Sequence, residues 1–169
     1  MDHAHAGDRR RHREIRSTPS STPSGPRPPS WSGSTRGWAR TATGQPRPAL
    51  TDYEQALTLN REAGDRGHTA ATLNNIGAVY DGLGDRRQAL VYYEQALPIR
   101  RQVGDRAGEA ATRYNIATIH RAVGNLDEAI SELERVLELD RQVDHPDLAS
   151  DTALLDQIRQ ERATGPGTT

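Results

Sequence analysis

From Ala49 onward, apolar side chains recur at three- and four-residue steps. In 66–83, Leu73, Ile76, Gly77, Tyr80 and Leu83 share one helical face; in 86–103, Ala89, Leu90, Tyr93, Ala96 and Leu97 do the same. This spacing predicts helices near 49–63, 66–83, 86–103, 106–123, 126–143 and 146–163. The punctuation agrees. Gly84 and Gly104 stand where a helix would end in a left-handed residue. Asp65, Asp85 and Asp105 stand where a carboxylate can accept the first free amides of the next helix, and Asp85 with Gln88, like Asn125 with Glu128, has capping-box spacing. Pro98 falls inside the third helix and deletes the amide that would bond the Glu94 carbonyl, so a bend is expected there, with Ile99 and Val103 still turned to the core.

The helical pattern repeats. Ala49-Leu50-Thr51-Asp52-Tyr53-Glu54-Gln55-Ala56-Leu57 returns as Ala89-Leu90-Val91-Tyr92-Tyr93-Glu94-Gln95-Ala96-Leu97, and again, more loosely, from Ala129. Aligning 49–88 on 89–128 without a gap leaves seventeen identical positions in forty, far beyond chance. Small residues (Gly77, Ala89, Ala96, Ala117, Ala129) lie on the apolar faces, where they permit close helix approach beneath a large neighbour such as Tyr80 or Tyr93. One helix pair cannot cover its own apolar stripe, so pairs must stack.

Residues 1–48 have no such period. They carry seven of the ten Pro, and the run from Ser17 to Ser30 has no aliphatic side chain. Such a segment cannot bury enough apolar surface to offset its ordering entropy, and 1–48 is expected to be a disordered Arg/Pro/Ser-rich tail. Residues 49–163 form the repeat domain, and 164–169 a disordered C-terminus. Gly37 and Gly44 align with Gly77 and Gly84, but Arg36 and Arg40 fall on the apolar positions, so 49–63 reads as a second helix without its first. Its Leu50, Tyr53, Leu57 and Leu59 would then be partly uncovered, and weak self-association through this helix is expected.

Charge divides the same way. The net value of −1 combines a basic 1–48, with nine Arg and three acids, and an acidic remainder. With no Cys there is no disulfide, thiolate metal site or cysteine nucleophile. No apolar run is long enough to span a membrane, and no signal-like h-region follows the N-terminal Arg cluster; a cytoplasmic location is expected.

The pattern Asn75-Ile76-Gly77-x-x-Tyr80-x-x-x-Gly84-Asp85-x-x-x-Ala89-x-x-x-Tyr93-x-x-Ala96 resembles a tetratricopeptide repeat, in the forty-residue variety of actinobacterial and cyanobacterial multi-repeat proteins. The resemblance covers about 49–145. It implies an all-α, right-handed helical-hairpin solenoid of about two and a half repeats, with 146–163 as a capping helix whose Gln157 and Gln160 fall on the Gly and Tyr positions. It also implies a concave face, lined by the first helix of each pair, that binds a peptide or protein.

On those first helices stand Asn74, Asn75, Arg113, Tyr114, Asn115, Thr118 and Arg121, the candidate peptide-binding residues. Asn offers both a donor and an acceptor to a peptide backbone, and Arg can fork onto a carboxylate. A chaperone-tail carboxylate clamp is disfavoured, because the chain has no Lys and places Ala71 and Ala111 near the start of those helices. No catalytic residue, cofactor site or metal site is expected: His3 and His5 have no ordered third ligand, Gly82-x-Gly84 closes a helix without a preceding strand, and the recurring carboxylates sit at caps. The expected role is a non-enzymatic interaction scaffold, read as a fragment of a larger signalling or regulatory protein. The alternative is a nucleic-acid-associated regulator using Arg9, Arg10, Arg11, Arg13 and Arg16 with Trp31 and Trp38, a reading diluted by Asp2, Asp8 and Glu14.

Overall fold

A computed structural model describes residues 35–142 and 145–165. Among the described residues, seven helices follow one another: α1 (Thr35–Ala42), α2 (Pro46–Glu62), α3 (Arg66–Gly82), α4 (Arg86–Val103), α5 (Arg106–Ala122), α6 (Leu126–Gln142) and α7 (Leu148–Thr164). There is no strand among the described residues. Each helix packs on its neighbours in sequence, and α3 also touches α5. The result is a helical-hairpin solenoid of three hairpins, α1–α2, α3–α4 and α5–α6, followed by α7.

The local signals act as their chemistry requires. Asp65, Asp85 and Asp105 accept from the amides of His68, Gln88 and Gly108, each three residues on. These bonds satisfy donors that a helix start leaves free. Gly84 and Gly104 have φ of 82° and 72°, the left-handed conformation that reverses the chain after α3 and α4. α4 continues through Pro98 to Val103 as one helix, with the proline ring on its exposed side. Ile99 packs at the edge of the core, but Val103 does not reach it and is 44% exposed.

Two expectations about the N-terminal side are corrected. Residues 35–48 are not an unstructured tail, because α1 and the first turn of α2 occupy them; the rest of the expected tail lies outside the described residues. Nor is α2 a second helix without its first. Gly37 of α1 lies against Tyr53 of α2, so closely that a Cβ on it would come within 2.6 Å of the ring. Gly77 and Tyr93 repeat this seat in the second hairpin, at 2.7 Å. In the third the seat is Ala117 and the occupant the smaller Leu133, both fully buried. Seat and occupant change size together, which keeps the interior close-packed. Burying a ring of this size contributes roughly 1.5–3 kcal/mol, so an open glycine beneath it is well compensated. With α1 in place, Ala49, Tyr53 and Leu57 are buried and Leu50 partly so, and of the four residues expected to be uncovered only Leu59 stays largely exposed, at 64%.

At the other end, α7 begins two residues later than the forty-residue spacing from α5 requires. Its inward residues are Asp151, Leu155 and Ile158, while Gln157 and Gln160 face water, as expected of a closing helix. Thr164 is its last residue, so the expected disordered C-terminus starts no earlier than Gly165; residues 166–169 lie outside the description.

Candidate functional site

The first helices of the second and third hairpins each have one face turned from the second helices. On α3, Leu73, Ile76 and Val79 enter the core shared with α2, and Gly77 seats Tyr93 of α4. The opposite face carries Ala71, Asn75, Ala78 and Gly82; forty residues on, α5 presents Ala111, Asn115, Thr118 and Ala122. Asn75 and Asn115 are only 3% and 5% exposed. The Oδ1 of Asn75 is buried and accepts no hydrogen bond, although an amide oxygen in such a place ordinarily has a donor. Thr118 donates to the Asn115 carbonyl at 2.8 Å, one turn back on its own helix.

Of the remaining candidates, Asn74, Arg113 and Arg121 have their polar groups bonded within the fold, and Tyr114 is partly buried. Asn74 accepts from Thr112 of α5 at 3.0 Å, a fully buried bond between hairpins. Asn60 and Thr72 make a related bond between α2 and α3 at 3.2 Å. Tyr114 packs against the cluster that joins α5, α6 and α7. Arg121 forks onto Glu161 of α7, with Nε at 3.1 Å from one carboxylate oxygen, and this bond holds the Glu161 carboxyl below its ordinary range. Arg113 occupies the place that Leu73 fills in the previous hairpin. Its guanidinium lies between Glu109 of its own helix, at 2.9 Å, and Glu132 of α6, at 2.6 Å. The structure therefore gathers Asn75, Asn115 and Thr118 on one face and turns Arg113 away from it.

Two repeat-equivalent grooves open on the side opposite that face. One, of about 580 Å3, lies between α2, α3 and α4; the other, of about 380 Å3, lies between α4, α5 and α6. Arg61 lines the first and Arg101 the second, exactly one repeat apart in number but not in company. Arg101 bonds Glu109 at 2.9 Å and Arg135 bonds Glu138 at 3.1 Å, whereas Arg61 has no ion pair among the described residues. Of the candidate residues above, only Arg113 lines either of these grooves. The signal for them was the loss of apolar character at forty-residue spacing, Leu73 to Arg113 and Pro98 to Glu138.

Between the grooves, Arg100 is 2% exposed, and its guanidinium meets the Asp105 carboxylate that also caps α5. Burial lowers the Arg100 pKa while Asp105 opposes that shift. The same guanidinium fills the space a side chain on Gly108 would need. No group of three or more His, Asp or Glu side chains gathers as metal ligands among the described residues, and no described helix is long and apolar enough to cross a membrane.

The stacked hairpins, their glycine–tyrosine seats and their forty-residue register define a helical-repeat protein of the tetratricopeptide class. A family model described as Tetratricopeptide repeat matches residues 35–102, and a second of that description matches 110–143, together more than half of the chain. The chain belongs to the tetratricopeptide repeat family. Repeats of this family generally mediate protein–protein interactions and are typically non-enzymatic, which supports a scaffold role. Among solved structures, the chain is similar to the crystal structure of BtubC (BKLC) from P. vanneervenii, with a TM-score of 0.60 and 20% sequence identity over 79% of this chain and 63% of that one. That likeness concerns the fold, and the chain matches less than two thirds of that protein's length. No curated protein sequence matches the chain.

Proposed function

We propose that the protein is a non-enzymatic scaffold that holds an extended peptide segment of a protein partner along the first-helix face of α3 and α5. The observation that carries this reading is the repetition, forty residues apart, of a stripe of small side chains with an asparagine in the same place: Ala71-Asn75-Ala78 and Ala111-Asn115-Thr118. Small residues let a peptide backbone approach the helices. Each asparagine amide supplies a donor and an acceptor to that backbone, independently of the peptide's sequence. Tyr114, half-buried beside the stripe, would contact its side chains. Asn74, Arg113 and Arg121 are positioning residues in this reading, since their polar groups are already bonded within the fold.

The test is affinity capture from the native organism with the full chain as bait, in parallel with thermal unfolding. The Asn75→Ala, Asn115→Ala double variant should lose captured partner severalfold while its Tm stays within a few degrees, since the Asn75 Oδ1 has no bond to lose. A large fall in Tm with undiminished capture would assign both asparagines to the scaffold and end this reading.

A further inference from the structure

The groove between α2, α3 and α4 is distinct from the first-helix face, and its chemistry is legible by comparison with its equivalent one repeat later. The later groove is closed by its own charges. Arg101 and Arg113 share Glu109, Arg113 also reaches Glu132, and Arg135 pairs with Glu138. The earlier groove has Thr69, Leu73, Gln95 and Pro98 where the later one has Glu109, Arg113, Arg135 and Glu138. Its floor is therefore apolar, formed by Leu73, Ile99 and Pro98, and it is the larger of the two.

Its cations are also uncommitted. Arg61 and Arg66 line the end nearest the Gly64 turn, and neither has a carboxylate in ion-pair distance among the described residues. Arg66 donates one N–H to Gln102, a neutral side chain, and keeps further N–H groups for an anion. Glu94 lines the groove as well. It lies eight residues before Gln102 on α4, about 12 Å along the helix at 1.5 Å per residue. The groove is thus polarised, with two arginines at one end, an apolar floor, and a glutamate at the other. An extended chain covers about 12 Å in three to four residues.

We propose that this groove is a second docking site, for a short peptide segment that carries an acidic and a basic side chain three or four positions apart with one leucine-sized side chain between them. The carboxylate forks onto Arg61 and Arg66, the apolar side chain covers Leu73, Ile99 and Pro98, and the basic group meets Glu94. The occupant is identified by charge complementarity: the closed groove satisfies its arginines with its own glutamates, and the open one leaves that partner to be supplied from outside.

The experiment is an amide NMR titration of the full chain with two blocked hexapeptides, acetyl-Gly-Glu-Leu-Ala-Arg-Gly-amide and its order-reversed form, because either chain direction satisfies the charges. An all-cationic control replaces the Glu by Arg. At least one mixed-charge peptide should shift amides around Leu73 and Ile99 and bind tenfold or more tightly than the control. Arg61→Glu with Arg66→Glu, both at exposed positions, should reverse that preference. Thr69→Glu with Gln95→Arg and Pro98→Glu, which give this groove the counterparts of Glu109, Arg135 and Glu138, should abolish binding while circular dichroism remains helical. The proposal is overturned if neither peptide shifts these amides, if the shifts gather on Ala71, Asn75 and Ala78 instead, or if binding survives the copied closure in a folded variant.

Discussion

In α3–α4, Tyr93 sits on Gly77 and Leu73 forms the groove floor; in α5–α6, Leu133 sits on Ala117 and Arg113 lies between two glutamates. Both hairpins follow the same forty-residue plan, and both fill the space between their helices. The second does so with shape, one large ring over one missing side chain. The third uses a smaller knob and spends charge on the remainder, tying α4, α5 and α6 through Arg101, Glu109, Arg113 and Glu132. The lesson is that a repeat conserves volume and direction at a position while leaving its polarity free, provided every charge brought inside has a partner.

The largest expected effect lies in the charged hairpin. Arg113→Ala removes the cation that two carboxylates share and should cost about 2–4 kcal/mol in urea unfolding, toward the cost of breaking a buried pair. Rewriting the site as the second hairpin has it, with Arg113→Leu, Glu109→Thr and Glu132→Tyr, should restore stability to within about 1 kcal/mol of the parent, because apolar replacement of an ion-pair network is often neutral. If the single variant is as stable as the parent, the network is a surface ornament and the contrast between the hairpins fails.

A smaller effect is expected at the tyrosine seat. Gly77→Ala places a methyl against the Tyr93 ring and should cost about 1–3 kcal/mol, the usual range for overpacking. Combined with Tyr93→Leu, which reproduces the Ala–Leu pair of the third hairpin, the double variant should be more stable than the sum of the single losses, with a coupling of roughly 0.5–3 kcal/mol. Strict additivity would show that the ring is not held by the glycine.

The third comparison is with pH. Burial pushes the phenols of Tyr53 and Tyr93 above their ordinary pKa of 10.0, with Asp81 adding to the rise at Tyr93. In the unfolded chain these groups lose their protons near pH 10 while the folded chain keeps them, so the unfolded state binds fewer protons and stability falls as pH rises. The loss should begin above about pH 10 and reach about 1.4 kcal/mol per pH unit for each tyrosine until the folded group ionises. Tyr93→Phe should flatten the slope by about one tyrosine. The Ala117–Leu133 seat of the third hairpin holds no phenol and should add nothing, which local amide exchange at pH 10–11 would resolve.

The repeat register, the aspartate caps and the glycine turns were legible because each depends on a few neighbouring residues. The helix bounds that follow from them differ from the observed ones by no more than three residues. α1 was not legible as a helix, since Arg36 and Arg40 occupy places where the later repeats are apolar. What identifies it is a longer-range match, Gly37 sixteen residues before Tyr53 just as Gly77 precedes Tyr93. Arg113 was read as ligand-facing because arginine on a first helix suggests an exposed fork. Its register with Leu73 points inward instead, and the partners that make an inward arginine tolerable, Glu109 and Glu132, come from two different helices. Pairings across helices of this kind are not encoded in any one segment's periodicity.

The left-handed glycines fall at 44, 64, 84, 104 and 124, one every twenty residues. Most of the helices between them are 17 residues long, about 25 Å at 1.5 Å per residue. Because successive helices run in opposite directions, the corners alternate: those at Gly44, Gly84 and Gly124 fall along one margin of the stack, and those at Gly64 and Gly104 along the other. Equal rungs keep both margins level. A segment spliced in at Gly84 or Gly124 would hang from one margin, and one at Gly64 or Gly104 from the other, beside the two grooves. The protein thus has two separately addressable edges, set by nothing more than a steady beat in the placement of its smallest residue.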